Sequence, residues 1–187
     1  VTATPEPWPV PPDLPPGPLV LVTLGTHLGW AKHDLLDRVG RLATDFPGHT
    51  FVVSLGDGSR AASTPLQVEG NVVVFAHLPY DDVVPLCEAV VHHGGAGITY
   101  SAIRAGVPSL VVPHDYDQFD FAARVVAAGA GLGVRRLDAR AARRLHTVLA
   151  MDRAPLERLA AAALTYDPIS AVAAAVLRHL PTVPGTP

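Results

Sequence analysis

The sequence is poor in cysteine and in charge, and each shortage excludes a class of protein. A single cysteine, Cys87, rules out an internal disulfide framework, and no group of Cys and His has the spacing of a zinc site. The formal net charge is −3, so charge gives no reason to expect nucleic acid or an anionic membrane surface as a partner. No apolar run reaches transmembrane length and no segment resembles a signal peptide, which predicts a cytoplasmic protein.

Apolar residues are plentiful instead. The 187 residues are 49% hydrophobic and only 17% charged, a balance typical of a folded chain rather than a disordered one. A chain of this length can form one ordinary domain with a sizeable core, or one half of a larger protein.

Proline is concentrated at the beginning of the chain. Residues 1–18 contain eight prolines, which remove backbone donors and fix φ, so we expect neither a helix nor a central strand there. We predict an interdomain linker for residues 1–18, with a disordered terminus as the alternative. Residues 19–180 are predicted to form the folded domain and residues 181–187 to be a tail.

Between these ends, short apolar runs alternate with segments of helical periodicity. Strands are predicted at residues 19–24, 50–55, 71–75, 89–92, 109–112 and 132–135. Helices are predicted at residues 34–45, 81–86, 98–105, 119–128, 139–150, 155–164 and 170–180. Strands with two apolar faces suit a parallel sheet that helices cover on both sides. We therefore predict an α/β fold, a doubly wound Rossmann-like parallel sheet of about six strands.

The most informative motif is the run His92-His93-Gly94-Gly95-Ala96-Gly97, which joins a predicted strand to a predicted helix. Glycines let the backbone approach a bound group closely, and the unpaired amides at a helix start favour negative charge. The two histidines add hydrogen-bond donors. The motif therefore predicts an anion site at the carboxyl end of this strand.

Polar residues also follow other predicted strands, at Gly25-Thr26, at His77 and at Pro113-His114. Ligands of doubly wound sheets bind outside the carboxyl ends of the strands, so these positions predict one shared site. Thr26 could donate its hydroxyl to a phosphate or belong to a turn and helix cap. His77 could stack its flat ring on a base or face solvent.

The run Asp115-Tyr116-Asp117-Gln118 follows a further strand. A carboxylate and an amide can each form paired hydrogen bonds to neighbouring hydroxyls, so Asp117 and Gln118 predict recognition of a polyol. One alternative is that Asp117 or Asp120 caps the helix that follows. The acid pair Asp115 and Asp117 also resembles a metal-binding pattern, but that pattern is very common and we expect no metal.

The remaining candidates are predicted to be structural. Cys87 lies in an apolar, helical setting and is predicted to be a core residue rather than a nucleophile. A basic cluster is predicted to be a solvated helix face: Arg135, Arg136, Arg140, Arg143 and Arg144. Scattered histidines are predicted to be surface residues: His27, His33, His49, His146 and His179.

Residues 83–134 combine three motifs, namely HHGGAG, AGVP and Pro113-x4-Gln118. This combination resembles the donor-binding C-terminal half of a GT-B fold, family 1 glycosyltransferase. The resemblance is strongest to actinobacterial enzymes that glycosylate macrolides and other polyketide natural products. It extends upstream to residues 21–26 and weakens after Arg135, so it covers most of the chain.

The resemblance implies a site for each part of a nucleotide-sugar. The residues implied at the diphosphate are His93, Gly95, Ala96, Gly97, Thr99 and Thr26. The residues implied at the base and ribose are His77, Leu78, Pro79 and Ser101. The residues implied at the transferred sugar are Asp117 and Gln118.

Two positions depart from the family pattern. Ile98 stands where a Thr or Ser commonly contacts phosphate, and we expect Thr99 or the backbone amide to compensate. Ser101 stands where plant relatives have a glutamate that binds the ribose hydroxyls. Because that carboxylate is missing, the resemblance favours a dTDP donor over a UDP donor.

The implied activity is a metal-independent, inverting transfer of a (deoxy)sugar from a dTDP- or UDP-sugar to a small-molecule natural product. No cofactor is expected besides the nucleotide-sugar substrate. Such enzymes use an N-terminal domain to bind the acceptor and supply the general base, and we expect both to be absent from these 187 residues. His27 is the nearest candidate base, but its position predicts the phosphate side of the cleft, so the chain alone is expected to be inactive.

Two further interpretations stay open. The chain could be the donor-binding subunit of a naturally split glycosyltransferase. It could also be a nucleotide-binding module, or a GT-B-like sugar-nucleotide epimerase, without transferase activity. A homodimer is left open by the sequence.

Overall fold

The computed structural model describes residues 8–12, 14–26, 29–59 and 64–179. They contain a seven-stranded sheet in the order β3-β4-β2-β1-β5-β6-β7. The strands are β1 (Leu19–Thr23), β2 (Thr50–Ser54), β3 (Gln67–Glu69), β4 (Val72–Phe75), β5 (Cys87–His92), β6 (Ser109–Val111) and β7 (Gly131–Gly133). Every neighbouring pair is parallel except β3 and β4, which are antiparallel. The α/β class and the largely parallel sheet are as predicted.

The six predicted strands are all present, and β3 is the additional one. It pairs with β4 at the edge of the sheet, and all three of its residues are exposed. An exposed edge strand has no apolar face to bury, so it carries no hydrophobic pattern that periodicity could detect.

Seven helices surround the sheet. They are α1 (Leu35–Ala43), α2 (Tyr80–Val83), α3 (Ala96–Ala105), α4 (Gln118–Ala127), α5 (Ala139–Leu149), α6 (Ala154–Thr165) and α7 (Pro168–His179), as far as the described residues extend. Two short 3₁₀ turns join them, at Gly29–Lys32 and Val84–Leu86. The second continues α2, so the helix predicted at residues 81–86 is confirmed as two short pieces, whereas the turn at Gly29–Lys32 was not predicted.

Side chains of the central strands point alternately to the two faces of the sheet and form a hydrophobic core on each face. On one face, Val22 and Val91 pack with Leu35 of α1 and Leu145 of α5. On the other, Val90 of β5 packs with a cluster that includes α3. Because side chains of a strand alternate between its faces, one apolar run serves both layers, which confirms the doubly wound arrangement.

The proline-rich start is partly tied to this domain. Trp8 is buried and meets the ring of Phe75 edge-on, with 5.7 Å between ring centroids. The Thr50 hydroxyl donates a 2.8 Å hydrogen bond to the carbonyl of Pro15. Residues 8–12 and 14–18 thus lie against the sheet in irregular conformation, while residues 1–7 of the predicted linker and the predicted tail lie outside the described residues.

Cys87 begins β5 and is not helical, which corrects the predicted setting but not the core assignment. Its side chain is buried, and its thiol donates to the carbonyl of Val83. Burial raises the pKa of this thiol to about 12. The thiolate is therefore scarce near neutral pH, as expected of a core cysteine rather than a nucleophile.

The last two helices are the most exposed. No residue of α7 is buried, and Ile169 is 80% exposed. Within the described part of the chain, no single helix is long and apolar enough to cross a membrane; α6 and α7 taken together, with a 57° bend between them, pass that test on length and composition alone.

Candidate functional site

The chain order places one crevice in the sheet. From β1 the chain moves outward through β2 to β4, and from β5 it moves the other way through β6 to β7. Neighbouring β1 and β5 are therefore the point at which the strand order reverses, where loops diverge and ligands of open α/β sheets bind. The loops that follow these two strands contain Gly25-Thr26 and His93–Gly95.

His93 lies in this crevice with its ring between two glycines. A Cβ on Gly25 would lie 2.7 Å from Cε1 of the ring, and a Cβ on Gly95 would overlap Nε2. Gly25 also has a φ of +70°, which favours glycine. The glycines of both loops are therefore required to make room for one imidazole.

The pKa values of three histidines at this edge of the sheet, His92, His93 and His114, lie below the usual value. Burial, reinforced by the nearby His114, lowers the pKa of His93 to about 4. Burial also lowers the pKa of His92 to about 3, and that of His114 below its usual value. A neutral imidazole carries one donor and one acceptor nitrogen, so His93 can donate one hydrogen bond to an anion without being charged.

Helix α3 starts directly beyond His93. Its N-cap residue, Gly95, has extended backbone angles (φ −65°, ψ 148°), and no described side chain caps the helix. The first turn contains no acidic residue, and Ala96 and Gly97 are exposed. Backbone amides and the positive end of the helix dipole therefore face the crevice, as an anion site requires.

Thr99 does not compensate for the hydroxyl missing at Ile98. Only 2% of Thr99 is exposed, and its hydroxyl donates a 2.8 Å hydrogen bond to the carbonyl of Gly95. Ile98 is likewise buried, in the core beneath α3. The expectation of a Thr99 hydroxyl on the phosphates is therefore wrong, because its single hydroxyl hydrogen is used inside the helix. Backbone amides remain as the donors of this turn.

The loop after β1 is anchored by a hydrogen-bonded pair of hydroxyls. The Thr23 hydroxyl oxygen accepts from the amide of Gly25 at 3.0 Å and lies 2.8 Å from the Tyr80 hydroxyl. Thr26 follows on the exposed surface. His27, the predicted nearest base, lies outside the described residues.

Lys32 was not predicted, and it adds a positive charge that acts on His93. Its ammonium donates a 2.6 Å hydrogen bond to the carbonyl of Leu55. Burial lowers the pKa of Lys32, and the carboxylate of Asp57 opposes that shift. The lysine charge also contributes to the lowered pKa of His93. A lysine far from any motif gives no sequence signal of this proximity.

The predicted base-packing loop is only partly available to a ligand. His77 and Pro79 are half-buried, and the His77 ring lies 6.2 Å from that of Tyr80. Leu78 is fully buried in the core, so its side chain cannot pack on a base, which corrects that prediction. Its amide donates instead to the Ser54 hydroxyl at 3.2 Å.

Ser101 meets a carboxylate that the sequence pattern did not place there. Its hydroxyl donates a 2.9 Å hydrogen bond to Asp81, an exposed residue in the first turn of α2. A carboxylate is thus present beside position 101, although it comes from another helix. The absence of a carboxylate at position 101 itself therefore favours a deoxyribose less strongly than the sequence predicts.

The loop after β6 is organised by Gln118. This residue is only 8% exposed, and its side-chain oxygen accepts from the amides of His114 at 2.9 Å and Asp115 at 3.2 Å. The amide nitrogen is the end of Gln118 that can still donate to a ligand. Asp117 is exposed and forms no capping hydrogen bond with its side chain, so its carboxylate is not used as a helix cap.

Two of the arginines predicted to form a solvated helix face are exposed as predicted, but they lie outside the helix and border a cavity. Arg135 and Arg136 lie before α5 and, with Arg38 and His114, border a space of about 320 Å³. Arg38 is paired with Asp34 of the same surface. Among the described residues, no group of three or more His, Cys, Asp or Glu side chains is arranged to hold a metal ion.

Comparison with known proteins places this geometry in a family. A model of the family described as "Erythromycin biosynthesis protein CIII-like, C-terminal domain" matches residues 34–175. An L-demethylnoviosyl transferase of Streptomyces niveus is 38% identical over 127 residues, which are 64% of this chain and 31% of that protein.

Solved structures give the same result for the fold. The glycotransferase of kitacinnamycin superposes with a TM-score of 0.72 at 22% identity, over 96% of this chain and 46% of that one. The spinosyn rhamnosyltransferase SpnG, complexed with thymidine diphosphate, superposes with a TM-score of 0.69 at 27% identity, over 88% of this chain and 46% of that one. The chain therefore spans less than half of each of these proteins.

Proposed function

The chain belongs to the EryCIII-like C-terminal domains of GT-B, family 1 glycosyltransferases, and from this premise we propose that it binds the sugar donor. The proposed reaction is an inverting, metal-independent transfer of a (deoxy)sugar from a dTDP- or UDP-sugar to a small-molecule natural product. The acceptor and the general base are proposed to be held by a further domain, because the relatives are much longer than this chain.

One observation carries the proposal. The neutral ring of His93 is held between Gly25 and Gly95 at the reversal of strand order, in front of a helix start that no described side chain caps. This arrangement offers a ring N–H and several backbone amides to one anion. A diphosphate, with charge on two linked groups, suits that set of donors.

These donors also explain how the domain contributes to chemistry. When the bond between sugar and diphosphate breaks, negative charge grows on the departing diphosphate. Amides of Ala96 and Gly97 and the N–H of His93 are already oriented by the fold, so they stabilise that charge without reorganisation. The dipole of α3 acts in the same sense, and no metal is needed for it.

The loop after β6 is proposed to hold the transferred sugar. The Asp117 carboxylate is exposed beside the crevice and can accept from two neighbouring hydroxyls. Gln118 can add its amide N–H while its oxygen keeps the loop in place. The two residues therefore have different roles: Asp117 binds the sugar hydroxyls, and Gln118 mainly stabilises the conformation of the loop.

Two observations bear on the nucleotide. SpnG, which is similar in fold and sequence, has been solved with thymidine diphosphate, and this supports a dTDP donor. Asp81 beside Ser101 supplies a carboxylate that could accept from ribose hydroxyls, and this supports UDP. We propose dTDP as the preferred nucleotide, with a small preference over UDP.

Calorimetric titration of the chain with dTDP, UDP and ADP tests the proposal. We expect dTDP and UDP to bind and His93→Ala to weaken both, by about ten- to a hundredfold, because one hydrogen bond to a charged group contributes roughly 1.5–3 kcal/mol. His49→Ala is the matched control, since His49 pairs with Glu88 at the amino end of β2, away from the crevice. Unchanged affinity in His93→Ala would remove this residue from the site.

A second measurement separates the proposed role from the alternatives. The chain is expected to bind a dTDP-sugar and transfer nothing to an acceptor until a separate acceptor-binding domain is added, since a positioned base typically contributes about 10²–10⁴-fold. Release of an epimer from the nucleotide-sugar alone would instead indicate an epimerase. Repeated transfer by the chain alone would show that it contains its own base.

A further inference from the structure

His92 is a fully buried histidine in the middle of the sheet. It ends β5, is 0% exposed, and lies between Thr23 of β1 and Val111 of β6 in the strand register. Val22, Val91 and Leu110 of the same strands are buried and apolar, so burial of an imidazole here costs its hydration. A buried polar ring in such a place calls for a specific partner.

That partner is the backbone of the glycine-rich turn. Nδ1 of His92 accepts a 3.1 Å hydrogen bond from the amide of Gly94. Nδ1 therefore carries no hydrogen, and the neutral ring has its hydrogen on Nε2, which is buried with no hydrogen-bond partner among the described residues. Burial lowers the pKa of His92 to about 3, which keeps the ring neutral and Nδ1 an acceptor.

Gly94 is the residue on which the shape of the turn depends. Its φ is +92°, and an added Cβ would lie 2.9 Å from the carbonyl oxygen of Gln118 and 3.1 Å from Cγ1 of Val111. Gly94 is buried, so its amide would lose its hydrogen bond without His92. The next residues in the turn are Gly95, which borders the His93 ring, and the start of α3.

From these contacts we infer that His92 is a positioning residue for the diphosphate site, in which Nδ1 holds the Gly94 amide and so sets the place of His93 and of the first amides of α3. This inference rests on the proposed function for its readout in binding. His92 touches no ligand in this arrangement.

Two substitutions test the inference by moving the acceptor. In His92→Asn the side-chain oxygen lies close to the place of Nδ1, whereas in His92→Gln the polar end lies closer to the place of Nε2. We expect the Asn variant to keep dTDP affinity within about threefold and the Gln variant to lose about tenfold or more, the size expected when a buried amide loses its acceptor. Equal affinities of the two variants at equal thermal stability would overturn the inference.

Nuclear magnetic resonance of the unsubstituted chain provides a readout that does not depend on activity. The ring nitrogens of His92 should show the Nε2-protonated tautomer, and the Gly94 amide should exchange slowly with solvent. Protection of Gly94 should persist in His92→Asn and be lost in His92→Gln. A Nδ1-protonated ring or a rapidly exchanging Gly94 amide would overturn the inference even if a variant fails to fold.

The same experiments separate this inference from the proposed function. If the unsubstituted chain binds neither dTDP nor UDP, the proposed function fails. The tautomer of His92 and the exchange of Gly94 still decide whether His92 holds the turn. If dTDP binds and His92→Gln binds it as tightly as the unsubstituted chain does, the positioning role fails and the proposed function stands.

Discussion

The loop after β5 and the loop after β6 lie side by side at the carboxyl ends of neighbouring strands, yet they are built on opposite principles. The first loop depends on the absence of side chains, because Gly94 and Gly95 leave the space that the Gln118 carbonyl and the His93 ring occupy. The second is made by one added side chain, because Gln118 accepts two amides of its own loop. The first loop is therefore sensitive to added atoms and the second to lost ones.

This difference matches the ligand groups that we propose for each loop. Backbone amides bind best when nothing covers them, so a diphosphate loop benefits from glycine. Hydroxyls of a sugar are recognised by side chains, and Asp117 can point outward because Gln118 rather than Asp117 holds the turn. Substitutions in the two loops should therefore fail in different ways.

Gly94→Ala should reduce stability the most, since the added methyl would collide with the loop after β6. It would press on the Gln118 carbonyl at 2.9 Å and force a non-glycine residue to a φ of +92°. We expect a loss of about 2–4 kcal/mol in the free energy of unfolding, measured by urea denaturation. Gly40→Ala is the matched control, because a Cβ there meets nothing within 4 Å and α1 should gain stability. Equal effects at the two positions would contradict the close packing of the loops.

Substitutions in the second loop should separate its scaffold from its ligand group. Gln118→Ala removes the acceptor of two amides, so we expect about 1–2 kcal/mol less stability and weaker binding of a dTDP-sugar. Asp117→Ala removes an exposed carboxylate, so stability should stay within about 0.5 kcal/mol. Binding of the dTDP-sugar should then weaken while free dTDP binds as before. Equal losses for dTDP and its sugar conjugate in Asp117→Ala would assign Asp117 to the fold.

Acid should have a smaller effect on stability than Gly94→Ala, and it should act through the first loop. Burial lowers the pKa of His93 in the folded chain from its usual value of 6.5 to about 4. As pH falls from about 6.5 toward 4, His93 binds a proton in the unfolded chain but stays neutral in the folded chain. The free energy of unfolding therefore decreases across that pH range. The free energy of unfolding, measured by urea denaturation, should fall less with pH in His93→Ala than in the unsubstituted chain. The difference at pH 5 should be on the order of 1 kcal/mol. Parallel pH profiles would show that His93 titrates normally.

Much of the fold was predictable because its signals are local. Apolar runs such as Thr50–Ser54 and helical periodicity such as that of Leu35–Ala43 depend on neighbouring residues only, and both segments were predicted. The edge strand Gln67–Glu69 was missed because its exposure leaves no pattern. The candidate site could be placed in outline because the carboxyl ends of parallel strands share one edge of the sheet.

What the sequence by itself determined is the order of strands and helices and the place of the glycine-rich turn, because periodicity and backbone freedom are properties of short segments. Tertiary structure alone decided which polar atoms remain available in that turn. Thr99 turns its hydroxyl into the helix, and Ser101 meets Asp81 of another helix. His92 holds the Gly94 amide from within the core. The direction of a side chain and the identity of its partner depend on packing between distant segments, so no pattern along the chain could reveal them.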